Sequence, residues 1–125
     1  MFSRISPEFR LVLAMFHANR GNAAKAREHF DAVPQCILDR YSFSKAFSGR
    51  ILILEGKNEE ARSIFEASAD SSSGEGVDEE YIHAYCQVFC TSFSDIEESH
   101  VWKRKAESLE PTARMKRYLP LSRAV

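Results

Sequence analysis

The sequence predicts an all-α protein of about three stacked antiparallel helix pairs, followed by a short C-terminal capping helix. Apolar residues recur with helical spacing, no segment shows the sustained alternation of a β-strand, and one block of sequence occurs twice. The 125 residues fit a single domain, and a domain of this size can bury a core without metal or disulfide bonds.

The repeated block begins at Gly21 and again at Gly56, so its period is 35 residues. Alanine, arginine and phenylalanine recur at matching positions after each glycine, whereas ordinary residue frequencies give about one identity in twelve by chance. Phe30 and Phe65 occupy the same place in the two blocks. At helical spacing they are predicted to be equivalent core residues, and Trp102 is predicted to pack in the same way.

This pattern resembles the tetratricopeptide repeat (TPR). The residues that match the family positions are Gly21, Ala26, Phe30 and Pro34 in the first unit, Gly49, Gly56, Ala61 and Phe65 in the second, and Ala106, Leu109 and Pro111 in the third. The resemblance implies a TPR-like right-handed superhelix with units at about 6–34, 40–70 and 79–111. In that family, the first helices of the pairs line a concave groove that binds peptides or helices.

The first helix is predicted to begin at Ser6-Pro7-Glu8, where a hydroxyl N-cap precedes a proline and an acid at the positive end of the helix dipole. It should run to about Arg20. Gly21 then supplies the left-handed turn that ends it, and Gly56 is expected to do the same in the second unit.

The second helix is predicted at about 23–33, with Asn22 as its cap and Pro34 as its stop. The second pair is predicted to comprise a helix at about 40–55 and another that starts at Asn58. Acidic residues favour the first turn of the latter helix.

Residues 70–78 are predicted to form a flexible loop before a helix at about 79–92. Ser94 and Glu97 have the spacing of a capping box for the next helix. Residues 112–119 are predicted to form a short, polar helix that caps the stack and faces solvent.

Composition predicts a cytoplasmic protein. Three cysteines are present without a recognisable secretory signal, so reduced thiols are expected, and no segment has the ~20 apolar residues needed to span a bilayer. Residues 55–99 are strongly acidic, and the segments on either side are net basic. Solvated helix faces explain this distribution, and polar self-association or a charged partner is the alternative.

No catalytic activity, cofactor or small-molecule substrate is predicted, because no nucleophile elbow or phosphate-binding glycine loop is present. His83, Cys86 and Cys90 share one helical face and are potential ligands of Zn²⁺ or Cu⁺. They also fall on the expected packing stripe, so core packing is favoured and no metal is expected. A basic C-terminal end does not predict nucleic-acid binding, since the pI is about 6.4 and no reading helix is visible.

The expected function is protein–protein interaction, by an apolar concave groove that binds a helical or extended peptide. The resemblance places these partner-binding residues on the first helices: Leu11, Met15, Phe43, Arg50, Ile53, Leu54, Tyr81 and Val88. An apolar groove should be covered by something, and a partner helix, a second copy of the chain or the chain's own C-terminal helix are the candidates. Self-association as a homodimeric scaffold is therefore the alternative function.

Overall fold

The computed structural model describes residues 5–71, 76–92 and 94–121, and in these ranges the chain is all-helical without a strand. This confirms the all-α fold class predicted from the sequence. The helices are α1 (Pro7–Asn19), α2 (Ala23–Asp31), α3 (Gln35–Leu38), α4 (Ser44–Leu54), α5 (Asn58–Ser71), α6 (Val77–Ser92), α7 (Ile96–Ser108) and α8 (Ala113–Tyr118). Helix α1 packs on α2, α4 on α5 and α6 on α7, while α2–α4 and α5–α6 contacts join successive pairs.

The predicted signals at the start and end of α1 are both present. The side chain of Ser6 accepts a hydrogen bond from the backbone N–H of Phe9 at 3.1 Å, and Pro7 is the first helical residue. Gly21 and Gly56 have φ of +76° and +78°, so each occupies the left-handed region that ends a helix before a sharp turn.

The segment between the first two pairs differs from the prediction, because α3 was not expected there. Helix α2 ends at Asp31, before Pro34 is reached. Pro34 has an extended backbone conformation and is the N-cap residue of α3. The short helix buries Ile37 and Leu38 against the core, and the hydroxyl of Ser44 donates to the carbonyl of Leu38 at 2.8 Å. Helix α4 therefore begins at Ser44 rather than near residue 40.

The third pair also differs in detail. Asp95, and not Ser94, caps α7, because its carboxylate accepts from the backbone N–H groups of Glu97 at 3.1 Å and Glu98 at 3.2 Å. Helix α5 continues to Ser71 and α6 begins at Val77, so each helix takes two residues of the predicted loop at 70–78. Residues 72–75 of that loop lie outside the described residues.

The core continues from one helix pair to the next through aromatic contacts. The ring of Phe30 lies 5.8 Å from that of Phe47 on α4, and the ring of Phe65 stacks on Phe89 of α6 at 4.6 Å. Both repeat phenylalanines are buried, as predicted. Trp102 is only half-buried and packs at the edge of the core, with its ring 5.5 Å from that of His83.

Candidate functional site

The eight residues predicted to line the groove do not share one open surface. Leu11, Phe43, Tyr81 and Val88 are buried, and Met15 and Ile53 are half-buried. Leu54 has an exposed fraction of 37% and is the only one of the eight classed as exposed, while Arg50 is exposed by only 4%. Most of the predicted groove is therefore interior in the folded chain.

The C-terminal segment covers part of this surface. The ring of Tyr118 lies 4.4 Å from that of Phe43 and 5.3 Å from that of Phe47, and Leu119 is fully buried. Helix α8 is amphipathic: Met115 and Tyr118 face the core, while its basic residues are exposed. The helix predicted to be a polar cap facing solvent thus packs inward with one apolar face, because the apolar side chains of the first helices need a cover.

Polar side chains of the groove hold the backbone of this C-terminal segment. The guanidinium of Arg50 donates to the carbonyl of Tyr118 at 3.1 Å, and the hydroxyl of Tyr81 donates to the carbonyl of Leu119 at 2.6 Å. Both donors are buried, and burial raises the pKa of Tyr81 to about 12. Arg50, the one basic residue of the predicted groove, thus donates to a backbone carbonyl of its own chain.

The start of α8 is fixed by a separate contact. The carboxylate of Asp78, at the beginning of α6, accepts from the backbone N–H of Thr112 at 2.9 Å and from its hydroxyl at 3.1 Å. The side chain of Asn19 donates to the carbonyl of Arg117 at 3.2 Å. Residues 112–119 are therefore attached to α1, α4 and α6 through their main chain as well as through apolar packing.

A cleft of about 370 Å³ remains between α1 and α8. Leu11, Met15 and Phe43 form its apolar wall, and the guanidinium groups of Arg114 and Arg117 lie on its α8 side. The guanidinium of Arg114 lies 5.2 Å from the ring centroid of Tyr41 and 5.6 Å from that of Phe43, within the range of cation–π interactions. The cleft is the part of the predicted groove that α8 leaves open.

A second apolar surface lies on the outer face of α1 and adjoins this cleft, which Val12 also lines. Phe9, Val12 and Phe16 follow one another at i, i+3 and i+7 and have exposed fractions of 51%, 41% and 46%. We refer to these three side chains as the outer stripe. The opposite face of the same helix buries its side chains against the core, with Leu11, Ala14 and Ala18 inside. Helix α1 therefore has two apolar faces, and the described part of the chain covers one of them.

Sequence reasoning missed the outer stripe, although its signal is present. Helix α1 has more large apolar residues than one packing face requires, and such an excess indicates a second apolar face. Other exposed apolar side chains, such as Val77, Ile96 and Val101, do not form such a run on one helix.

The proposed metal ligands lie in packed surroundings. Cys86 is fully buried, and burial raises the pKa of its thiol to about 12. Burial also raises the pKa of the half-buried Cys90 to about 11. The ring Nδ1 of His83 lies 3.1 Å from the carbonyl oxygen of Ala69. In the described residues, no group of three or more His, Cys, Asp or Glu side chains is arranged to hold a metal ion.

No helix in residues 5–71, 76–92 and 94–121 is long and apolar enough to cross a lipid bilayer. No family model matches the chain, and neither the curated proteins nor the solved structures give a match.

Proposed function

We propose that this chain is a non-catalytic protein-interaction module with a TPR-like architecture, and that the outer stripe binds an amphipathic helix of another polypeptide. The observation that carries this proposal is the exposure of Phe9, Val12 and Phe16 in one run along α1. Burying apolar surface contributes about 25 cal/mol per Å², and anchors at i, i+3 and i+7 are typical of helix-to-helix recognition.

The outer stripe suits a partner better than the predicted groove does. A ligand in the groove would have to displace α8 and break the hydrogen bonds that Arg50 and Tyr81 make to the C-terminal backbone. Leaving the buried hydroxyl of Tyr81 unpaired costs about 1–3 kcal/mol, in addition to the lost packing of Tyr118. At the outer stripe a partner would have to displace only an exposed side chain, the guanidinium of Arg20, which lies 4.6 Å from the ring centroid of Phe16.

The TPR-like assignment is supported by equivalent positions one period apart. Gly21 and Gly56 both have positive φ, Ala26 and Ala61 are both fully buried, and the two repeat phenylalanines each reach the next pair. The resemblance implies this pattern, in which a small residue lies where the two helices cross and an aromatic residue follows one turn later.

Two of the three cysteines, Cys86 and Cys90, are poorly suited to act as nucleophiles. A cysteine nucleophile must reach its thiolate form near neutral pH. Burial moves the pKa values of Cys86 and Cys90 to about 12 and about 11, so both thiols stay protonated there.

Site-specific photocrosslinking in cells tests the proposal. A benzophenone amino acid is placed at position 12 in the outer stripe or at position 101, an exposed valine on α7 that serves as the matched control. We expect a defined covalent protein adduct from position 12 and little from position 101. The adduct should disappear when Phe9→Glu and Phe16→Glu are added. Equal labelling from both positions, or no adduct from position 12, would overturn the proposal.

A further inference from the structure

Basic side chains border the outer stripe of α1. On the side of α2, the guanidinium Nη1 of Arg10 lies 3.2 Å from the ring Nδ1 of His29. Burial is the main cause that lowers the pKa of His29, and the positive charge of Arg10 lowers it further. At the C-terminal end of the stripe, the guanidinium of Arg20 lies 4.6 Å from the ring centroid of Phe16. The electrostatic potential along this edge is therefore positive.

The cleft between α1 and α8 gives the other edge of the stripe the same sign. Val12 belongs both to the stripe and to the lining of the cleft, where it faces Arg114 and Arg117 of α8. Glu8 also lines the cleft, but its carboxylate lies 3.9 Å from the guanidinium of Arg40. The exposed apolar surface thus continues into a concave opening whose free charges are positive.

The four arginines that border the stripe and the cleft form no ion pair with a carboxylate in the part of the chain that the structure describes. Arg27, Arg40 and Arg62, by contrast, lie 2.9, 3.9 and 3.0 Å from a carboxylate oxygen. A partner that covers the stripe removes part of the water around the bordering guanidinium groups, which is costly unless the partner supplies opposite charges. Charge complementarity therefore selects an acidic partner.

From this arrangement we infer that the partner is an acidic amphipathic helix, with carboxylates along both edges of its apolar face and one large apolar side chain that enters the cleft beside Val12. The inference rests on the proposed function and names the chemistry of its partner. The carboxylates pair with guanidinium groups such as those of Arg20 and Arg117, which can each donate two parallel hydrogen bonds. The apolar side chain contacts the cleft wall at Met15 and Phe43.

A membrane with anionic lipids is the other occupant that would complement a basic, apolar surface. The cleft favours the helix. A concave opening of about 370 Å³ accommodates a discrete side chain, whereas a flat bilayer surface leaves it unfilled. The opposite face of α1 is already packed on the core, so the helix has only the narrow stripe available for insertion.

Isothermal titration calorimetry of the purified full chain against two designed peptides tests the charge of the partner. Both are helices of about 18 residues with leucine and phenylalanine at i, i+3, i+4 and i+7. One has glutamate along both edges, and the other has lysine at the same positions. We expect the glutamate peptide to bind at least about tenfold more tightly, with an affinity that falls as salt is added. Equal affinities, or no binding of the glutamate peptide up to about 1 mM, would overturn the inference.

Charge reversal identifies the guanidinium groups responsible. Arg20→Glu with Arg117→Glu should weaken binding of the glutamate peptide at least about tenfold and favour the lysine peptide. Arg104→Glu with Lys105→Glu, the same change at exposed positions of α7, should leave both affinities unchanged. Circular dichroism verifies folding, and Arg20→Gln with Arg117→Gln replaces the reversal if that variant unfolds. Undiminished binding of the glutamate peptide to the folded variant would contradict the inference.

Methyl spectra of the chain labelled with ¹³C-methyl methionine report on the cleft. Met15 lines the cleft, whereas Met115 is buried on the core face of α8. The glutamate peptide should shift the signal of Met15 and leave that of Met115 in place, and replacing its phenylalanine by alanine should abolish the shift. If the signal of Met15 is unchanged in the bound complex, no side chain enters the cleft and the inference is wrong on that point.

Two outcomes separate this inference from the proposed function. If position 12 crosslinks to a protein in cells and Arg20→Glu with Arg117→Glu leaves the adduct intact, the inference fails and the proposed function stands. If no protein adduct forms at position 12, and the chain floats with vesicles that contain phosphatidylserine but not with pure phosphatidylcholine vesicles, the occupant is an anionic membrane and both proposals fail.

Discussion

The ring of Phe65 packs closely against the backbone of α4 at Gly49. A Cβ added to Gly49 would lie 2.9 Å from the ring atom Cζ of Phe65. One period earlier, the position equivalent to Gly49 is Ala14, which is fully buried but has a methyl group. The two repeat units thus both have phenylalanine at the same repeat position, whereas Gly49 of the second unit is replaced by Ala14 in the first.

Phe30→Ala and Phe65→Ala should each lower the free energy of unfolding by about 3–5 kcal/mol, because each removes a buried ring that joins two helix pairs. Chemical denaturation measures the change. Phe9→Ala, which truncates an exposed ring on α1, is the control and should change stability by no more than about 0.5 kcal/mol. A loss below about 1 kcal/mol at position 30 or 65 would show that the ring there is not part of the core.

Gly49→Ala should destabilise the protein even though it lies within α4. Alanine is favoured over glycine in a helix by about 1 kcal/mol, but overpacking a core costs about 1–3 kcal/mol. The ring of Phe65 is fully buried and stacked on Phe89 at 4.6 Å, so it has little room to move away. Denaturation of Gly49→Ala in the wild-type and Phe65→Leu backgrounds tests this. An equal effect in both backgrounds would exclude the ring as the cause.

At the scale of the element, α8 depends on helices far from it in sequence. It has only six residues, too few to be stable as an isolated helix. Its apolar face packs on α4 through Tyr118, and the adjoining backbone is held by Arg50 and Tyr81. The helix is therefore maintained by tertiary contacts and should be the first element to detach when those contacts are weakened.

Tyr81→Phe should loosen α8 specifically. The change removes the donor to the carbonyl of Leu119 and leaves that buried acceptor unpaired, which costs about 1–3 kcal/mol. Limited trypsin digestion should then cleave faster at the exposed Arg114, Lys116 and Arg117. Cleavage at Arg62 in α5 is the internal control and should not change. Equal acceleration at both places would indicate global unfolding instead.

At the scale of the whole molecule, a partly buried ion pair joins the first two helix pairs. The guanidinium of Arg27 on α2 donates to both carboxylate oxygens of Glu55, at 2.9 Å and 3.2 Å. The hydrogen bond from Arg27 lowers the pKa of Glu55 from its ordinary value of 4.5, and the same pairing raises the pKa of Arg27. A bidentate contact of this kind fixes the relative position of the two units as well as adding stability.

Because folding lowers the pKa of Glu55, the free energy of unfolding should depend on pH. A carboxyl group whose pKa is lowered by folding stabilises the protein fully at pH values above its unfolded-state pKa. This stabilisation is lost as the pH falls through its folded-state pKa. Glu55→Gln should therefore destabilise by about 1 kcal/mol at pH 7, and its difference from wild type should shrink below pH 4.5. Glu107→Gln, at an exposed carboxylate on α7, should change stability by less than about 0.5 kcal/mol at either pH. If Glu55→Gln destabilised the protein equally below pH 4.5, the ion pair with Arg27 could not be the cause.

The sequence alone determined the local structure of this protein. The caps at Ser6 and Asn22 and the left-handed turns at Gly21 and Gly56 follow from interactions between residues a few positions apart, so they could be predicted. The burial of the two repeat phenylalanines could be predicted from their helical spacing and their recurrence after 35 residues. The missed helix α3 shows the limit of this reasoning. A four-residue helix has almost no periodicity of its own and forms because Ile37 and Leu38 are drawn into the core.

Only the tertiary structure decided which apolar surfaces remain open. Helical spacing shows that α1 and α4 have more apolar residues than one face needs, but it does not show which face is covered. That depends on residues 113–119 folding back onto side chains such as Phe43 and Arg50, about 70 positions earlier in the chain. Contacts over such distances leave no periodic signal in the sequence. The structure thus buries most of the groove predicted from the sequence and leaves the outer stripe of α1 exposed.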